Sequence, residues 1–563
     1  MKRFLAVCIA LCLAMALFAV PVFAEGAAEP TGSGDTFFAN GTPIKITAAA
    51  PPDGQKAAID GLTEGEGAYI SWVSGGVTKY VGVSANATVY GGSDGRQAAV
   101  SVPSTSITMT GGTVHNLIGG NLGAKAKAPL ATVTGDVTMH ISGDAKVRNY
   151  IAGGGYDNAC VNGTVSLTLD GVNFAGLDPY VNGGVWGHGS EGTRNIENGT
   201  MDTQAVANRV EIKVTGSQNI PLLGVGGGGS TKVNSGSLTV TNSSVNALYL
   251  GGINGETGSC EVTLNNANIT DMAATNRGFV GSAVVNVNGG SITNFYTGAA
   301  PGCFGSDSGT VDGSGVTGSI AWNLDANVQV ANAFITPNIK SNAGQYTAEV
   351  GNVAVNKQGD ALNMTADDFE PASGKTVNKF TVPAGETLKL EGTKLTIPEG
   401  TELKNEGTVE NKGAIVNQGS IKNTDDGKLQ NIGEEASISG NKPSGEQAAV
   451  TYQFISGPAS YTLGTQKDAV FTLNGSVDQF VDFYIDGTKL VKDTDYTVKN
   501  GSVVITVKAS VMEKLSVGSH TLKAIYALGE ATGSVTIEKQ AQAPTTPAAP
   551  STGKANPKTG VNL

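Results

Sequence analysis

Asp157 and His188 are the residues whose types could carry acid–base chemistry in this 563-residue chain. A carboxyl group and an imidazole can serve as general base and general acid when a ligand lies within hydrogen-bond reach. Cleavage of a glycosidic bond needs more, because two carboxyl groups must flank that bond. The residue after Asp157 is Asn158, so no second carboxylate follows the first. We therefore treat catalysis by Asp157 and His188 as the alternative hypothesis only.

Aromatic side chains are the better candidates for ligand binding. A ring offers a large contact area at a small entropy cost, which suits stacking on the face of a sugar. The same rings could instead fill a core or stack on one another in a ladder, and the sequence leaves both readings open. The candidate residues for binding a carbohydrate or a host or matrix glycan are Tyr69, Trp72, Trp186, Tyr249, Phe295 and Tyr296.

Neither a metal site nor a cofactor is predicted. His115 and His140 lie in different copies of the repeat described below, and no third ligand accompanies them at a spacing typical of zinc. Glycine runs such as residues 226–229 lack the strand–loop–helix context of a phosphate loop. The formal net charge of −12 argues against nucleic acid as a partner.

Repeats between residues 107 and 305 would have to position these side chains. Each copy reads apolar, polar, apolar, followed by a Gly or Asn corner, an apolar pair and often Gly-Gly. Alternation with period two predicts a strand with one face toward a core. Because a single copy cannot bury its apolar row, we expect the copies to stack as turns of a solenoid. The clear copies begin at Ile107, Val137, Val165, Val210, Leu238, Val262 and Val285.

The repeats predict an all-β protein whose main part is a right-handed parallel β-helix. We place this β-helix at residues 25–345, including an N-terminal cap that covers its open sheet edge. The scarcity of helical periodicity argues against alternating strands and helices. The 79 glycines fit a chain with many tight corners.

Residues 346–445 carry a shorter repeat of six residues. Asn405, Asn411 and Asn417 are each followed by a glycine two residues later and an apolar residue four residues later, and Asn423 continues the six-residue spacing. Asparagine can bond its own backbone at a turn, so the pattern predicts a short-repeat extension of a solenoid. A polar linker is the alternative that the sequence leaves open.

Residues 446–539 predict a different unit. About seven short alternating runs, separated by turns such as Asp486-Gly487, are typical of an immunoglobulin-like sandwich. The segments Phe483-Tyr-Ile-Asp-Gly487, Asp495-Tyr-Thr-Val498 and Leu515-Ser-Val-Gly-Ser-His-Thr-Leu522 resemble the X-two family of carbohydrate-binding-type modules in clostridial surface proteins. That resemblance implies a module that binds polysaccharide or cell wall, or that spaces other domains.

Both ends of the chain indicate export. Residues 1–24 form a signal peptide, with Lys2-Arg3, an apolar stretch and a cleavage site at Ala24. No transmembrane segment is expected after its removal. Residues 540–563 form a linker rich in Pro, Thr and Ala. The linker contains a box that resembles a sortase sorting signal, although the chain is either truncated or the box vestigial; its residues are Asn556, Pro557, Lys558, Thr559 and Gly560.

The repeats also resemble pectate lyases and polygalacturonases, which are right-handed β-helix enzymes. Gly187-His188-Gly189 matches a triplet of the polygalacturonases, and Asp157-Asn-Ala-Cys160 weakly matches a second motif. Residues 107–305, which carry the repeats, contain no Asn-Thr-Asp motif, and Asn158 stands in place of the second aspartate. The fold alone does not imply the activity.

The sequence therefore predicts an extracellular protein of Gram-positive, clostridial type that is either secreted or associated with the cell wall. We expect an adhesin-like, non-catalytic protein whose solenoid presents a surface to a glycan or matrix, with peptidoglycan as a further partner. A polysaccharide lyase or glycoside hydrolase of the pectin-lyase-like fold is the alternative.

Overall fold

Two compact units divide the chain, Met1–Val450 and Thr451–Leu563. The predicted signal peptide with Ala24 and the sorting-like box at 556–560 lie outside the described residues. The computed structural model describes residues 28–51, 55–124, 130–176, 184–189, 196–197, 200–201, 205–227, 229, 231–253, 255–301, 313–342, 345–366, 379–424, 426–432, 436–445, 452–475, 477–499, 503–526 and 529–540.

The first unit is built from strands. Those before residue 202 are Thr31–Ser33, Thr36–Phe38, Ile44–Thr47, Glu64–Ser74, Val77–Val83, Thr88–Tyr90, Val100–Val102, Thr105–Met109, Thr113–Ile118, Ala131–Val133, Val137–Ser142, Lys146–Ala152, Ala159–Asp170, Val185–His188, Ile196–Glu197 and Thr200–Met201. Those after it are Val206–Thr215, Ile220–Gly227, Lys232–Thr241, Ser244–Tyr249, Glu256–Thr275, Phe279–Ala299, Gly313–Val316, Ser319–Leu324, Gln329–Ile335, Asn338–Asn342, Gln345–Glu349, Asn352–Lys357, Leu362–Ala366, Lys379–Val382, Thr387–Ile397, Glu402–Asn405, Thr408–Asn417, Ser420–Asn423, Lys428–Asn431 and Ser437–Gly440.

The second unit forms two sheets. One has the strand order Phe454–Ser456, Ala469–Leu473, Val503–Val507, Tyr496–Lys499. The other has the order Ser460–Thr462, Gly529–Glu538, Gly518–Tyr526, Phe480–Ile485, Thr488–Lys489. Phe471 of the first sheet lies 6.3 Å from Phe483 of the second, ring centre to ring centre, so side chains of both sheets share a core.

The prediction of an all-β protein is confirmed. Apart from the 3₁₀ turn Val477–Gln479, the described residues hold one helix, Ala509–Met512. None of the described helices has the length and the apolar character needed to cross a membrane.

Parallel pairing stacks the strands of the first unit. One ladder begins with Ile44–Thr47 beside Thr105–Met109 and continues coil by coil to Thr387–Ile397 and Thr408–Asn417. The strand Asn352–Lys357 pairs in parallel on both sides. The short-repeat region therefore continues the ladder of the longer repeats.

The apolar position of each repeat forms one buried column along this ladder. Register partners follow one another from coil to coil, and each is at most 1% exposed. The column contains Ile107, Met139, Leu167, Ile212, Leu238, Val262, Val285, Trp322, Val355 and Leu390. Stacking thus buries a row that a single repeat would leave in water.

At the C-terminal end of the stack, asparagine takes over this column. Asn411 follows Leu390 in register and is wholly buried. Its Nδ2 donates to Asn431 Oδ1 at 2.6 Å and to the Ser437 carbonyl at 2.9 Å, while its Oδ1 accepts from the Gly413 amide at 3.0 Å. The expectation that these asparagines bond their own turns is therefore incomplete, because the amides also join neighbouring coils.

We expect Asn411→Ala to lower the free energy of unfolding of the first unit by about 1–3 kcal/mol, because buried partners of the amide lose their hydrogen bonds. Chemical denaturation followed by tryptophan fluorescence measures this. Asn441→Ala is the matched control, since Asn441 is exposed and water can replace its bonds to the Gln418 and Gly419 carbonyls. Equal losses in the two variants would contradict the prediction.

Candidate functional site

His188 lies at the end of the strand Val185–His188 and is wholly buried. The Gly155 amide donates to its Nδ1 at 3.1 Å, and its Nε2–H donates to the Ala159 carbonyl at 2.9 Å. Burial lowers the pKa of His188 to about 4. Because the backbone engages both ring nitrogens, the imidazole has no nitrogen left to exchange a proton with a ligand.

The segment that His188 bonds is the one that contains Asp157. Asp157 is 4% exposed and has a left-handed φ of 54°, between the two backbone partners of the imidazole. A Cβ at Gly154 would collide with His188 Nδ1, which explains part of the glycine run that precedes Asp157. The structure thus gives His188 a role in holding this corner.

The described residues contain no group of three or more His, Cys, Asp or Glu side chains placed to hold a metal ion. His140 lies in register between Thr108 and Thr168. His115 lies on another strand, Thr113–Ile118.

Four of the six predicted aromatic residues are buried. Trp72, Trp186, Tyr249 and Phe295 are 4%, 2%, 7% and 0% exposed. Trp72 donates its indole N–H to Glu29 at 3.1 Å, and the Phe295 ring meets Trp322 edge to face. These four rings offer a sugar no accessible face here.

Two of the buried rings share a register column with a more accessible one. Parallel pairing leads from Trp186 through Gly224 to Tyr249, and from there through Ala273 to Tyr296. Ring and small residue alternate, and a Cβ at Gly224 would collide with the Trp186 ring. This arrangement is a ladder rather than an open platform.

Of the six aromatic candidates, Tyr69 and Tyr296 remain half-buried. Tyr69 meets Tyr80 edge to face at 6.4 Å, and Tyr296 stacks on Phe334 at 5.2 Å. The structure does not bring Tyr69 together with the column of Trp186 and Tyr249, since Tyr69 belongs to the hairpin formed by Glu64–Ser74 and Val77–Val83.

A polar site that the sequence analysis missed lies on the outer face of the main ladder. Asn286, Asn323 and Asn356 occupy the same register position in three successive coils. Asn323 Nδ2 donates to Asn286 Oδ1 at 3.0 Å, and Asn356 Nδ2 donates to Asn323 Oδ1 at 2.9 Å. We call these three residues the amide ladder. Its sequence signal is an asparagine directly after an inward apolar residue in each copy.

A second run of amides crosses the same coils at another register position. Asn294 Nδ2 donates to Asp271 Oδ1 at 2.8 Å, and Asn332 Nδ2 donates to Asn294 Oδ1 at 3.0 Å. Asn288 Nδ2 likewise donates to Asn265 Oδ1 at 2.9 Å. Cross-strand amide bonds are therefore a general feature of this part of the stack.

The amide ladder forms part of the wall of an open groove of about 850 Å³. Lys357 donates from Nζ to the carbonyls of Asp325, Ala326 and Gln358, at 3.1, 3.2 and 2.7 Å. The groove is lined by Asn286, Asn288, Asn323, Leu324, Asp325, Asn356, Lys357, Gln358, Glu391, Gly392 and Lys412. We call this site the amide groove.

The charged side chains of the amide groove balance one another. Lys412 forms an ion pair with Glu391, which raises the pKa of Lys412. Lys357 and Asp325 supply one further charge of each sign. Each ladder amide also has a second N–H and a second lone pair beyond those used along the ladder. The groove can thus offer donors and acceptors to hydroxyl groups without a net charge.

Comparison with known proteins adds little. No family model matches the chain, and no curated protein matches it. Among solved structures, part of the chain is similar to a chimeric titin Z1Z2 functionalized with a KLER exogenous peptide from decorin. The identity is 20%, the match covers 18% of this chain and 52% of that chain, and the TM-score is 0.14. The chain thus spans about half the length of that structure, and a TM-score so low carries no argument about fold or function.

Proposed function

We propose that this protein is a non-catalytic, adhesin-like surface protein that binds glycans through the stacked strands of its first unit. The amide groove is the observation that carries this proposal. Asparagine amides and paired charges are well suited to hydroxyl groups, which both donate and accept hydrogen bonds. Polar groups that converge in a concave site can fix the orientation of a bound ligand.

The proposal keeps the finer assignments made from the sequence. The first unit is a right-handed parallel β-helix, and the second an immunoglobulin-like sandwich of the X-two type that holds or spaces it at the wall. The parallel ladder supports the first assignment, and the two sheets with a shared aromatic core support the second. Secretion and attachment to a Gram-positive wall rest on sequence motifs at residues 1–24 and 556–560.

A non-catalytic role is favoured over a glycoside hydrolase of the polygalacturonase type. The backbone occupies both nitrogens of His188, the histidine that carries the polygalacturonase resemblance. Asp157 is followed by Asn158, where the family has a second carboxylate. Retaining and inverting hydrolysis both depend on that second group.

A glycan array combined with a reducing-sugar release assay tests the proposal. The full-length secreted protein is expected to bind one class of polysaccharide and to release no reducing ends from it or from pectins. Asp157→Asn is a control, and it should leave binding unchanged. Release of reducing ends that disappears in Asp157→Asn would establish the enzyme alternative, and no binding across bacterial, plant and host glycans would refute the adhesin.

A further inference from the structure

We propose that the amide groove binds a linear, uncharged polysaccharide that lies along the stacking direction, with one sugar unit facing each coil. This inference rests on the proposed glycan-binding function and adds the orientation, the charge and the length of the ligand. Its first support is the periodicity of the groups that line the groove.

The groove presents one polar side chain from each coil at the same register position. Register pairing connects Asn286, Asn323, Asn356, Glu391 and Lys412, one residue from each of five successive coils. Parallel strands lie about 4.8 Å apart, so these five positions span roughly 19 Å. That spacing is comparable with the rise of one sugar in an extended β-linked chain. A ligand that repeats along the same axis can therefore meet a polar side chain at every coil, and an amide at three of the five.

The amides already have a fixed orientation before any ligand binds. Each bond along the ladder uses one N–H and one lone pair, at 3.0 and 2.9 Å. The half-buried side chains of Asn286, Asn323 and Asn356 are thus held in place. Groups held in this way lose little conformational entropy on binding, so each remaining N–H and lone pair is well prepared for a hydroxyl group.

Charge argues for a neutral ligand. Three backbone carbonyls surround the ammonium group of Lys357, and Glu391 pairs with Lys412. An anionic chain would have to compete for these cations and would also meet the carboxylate of Asp325. A cationic chain would have to displace Lys412 from its ion pair with Glu391. An uncharged chain avoids both costs.

None of the described residues that line the groove is aromatic, so we expect binding to depend mainly on hydrogen bonds. Such contacts are individually weak in water. Affinity should then grow with each added sugar until the ligand spans the groove. The five coils set that limit at about five sugar units, given the strand spacing.

The test uses the neutral polysaccharide that binds most tightly in the glycan array, cut into a series of two to eight sugar units, with calorimetry on the full-length protein. Affinity is expected to rise to about five units and then level off, and to stay within about twofold between low and high salt, since no charge is neutralised. Affinity that is already maximal for two units, or an array that selects only charged glycans, would overturn the inference while leaving glycan binding intact.

A pair of matched variants locates the ligand. Asn323→Ala, at the centre of the amide ladder, is expected to weaken binding of the five-unit ligand about tenfold. Asn332→Ala removes an equivalent cross-coil bond outside the groove and should change affinity less than twofold. Circular dichroism checks that both variants fold, and equal affinities of the two would contradict the assignment. The series of ligand lengths, measured on the unmodified protein, tests the proposed ligand length independently of the variants.

Discussion

Lowering the pH from 6.5 to 4 is expected to cost the first unit about 3 kcal/mol of stability through His188 alone. Burial lowers the pKa of this imidazole from 6.5 to about 4 in the folded protein. Between pH 6.5 and pH 4, His188 is protonated in the unfolded chain but stays neutral in the folded chain. The contribution of neutral His188 is therefore complete above pH 6.5, falls as the pH drops, and changes no further below pH 4.

Tryptophan fluorescence isolates this effect, because Trp72, Trp186 and Trp322 are the three tryptophans of the chain and all lie in the first unit. That selectivity matters because His520 makes the stability of the second unit depend on pH in the opposite direction. The Ser516 carbonyl and Asp486 raise the pKa of His520, so its contribution is complete at low pH and is lost as the pH rises through the raised value.

His188→Gln provides the comparison for this prediction. Glutamine can donate to the Ala159 carbonyl and accept from the Gly155 amide but does not titrate. Unfolding free energies measured from pH 4 to 7 should show a steeper fall in the unmodified protein than in the variant. Parallel curves would mean that His188 takes up a proton equally readily in the folded and the unfolded protein. Burial would then have little effect on the pKa of His188.

Repetition made the stack predictable from sequence. The sequence predicts Ile107, Leu238 and Val285 inside because each begins an alternating row, and each lies in the buried column. Stacking then follows, since neighbouring copies bury each other's rows. Period-two alternation is a local signal, so it survives without knowledge of the rest of the fold.

The exposure of the aromatic residues could not be predicted in the same way. Trp186 is buried and lies against Gly224 of the next coil. Tyr249 is buried in a cluster with Ala273, Ala299 and Ala300. The amide ladder was overlooked for a related reason. Asn286, Asn323 and Asn356 are far apart in sequence, and only the register of the coils aligns them. The burial of these rings and the alignment of these asparagines depend on contacts between residues that are distant in sequence, and no local pattern contains that information.

Trp322→Ala is expected to lower the free energy of unfolding of the first unit by about 3–5 kcal/mol, the usual range for removing a large buried aromatic side chain. Trp322 is wholly buried in the inner column, between Val285 and Val355. Its ring meets Phe295 edge to face at 5.0 Å, and its N–H donates to the Thr297 carbonyl at 3.2 Å. The coils on either side cannot close the cavity, because backbone pairing fixes their spacing.

Trp322→Phe separates the packing of this ring from its hydrogen bond. Phenylalanine keeps most of the ring volume and the contact with Phe295 but leaves the buried Thr297 carbonyl without its donor, which should cost about 1–3 kcal/mol. Trp72 and Trp186 still report unfolding in both variants. If Trp322→Ala cost no more than Trp322→Phe, the ring volume would not contribute to stability. The inner column would then not be the close-packed core that the register of the coils implies, because a close-packed site must lose stability when a cavity opens in it.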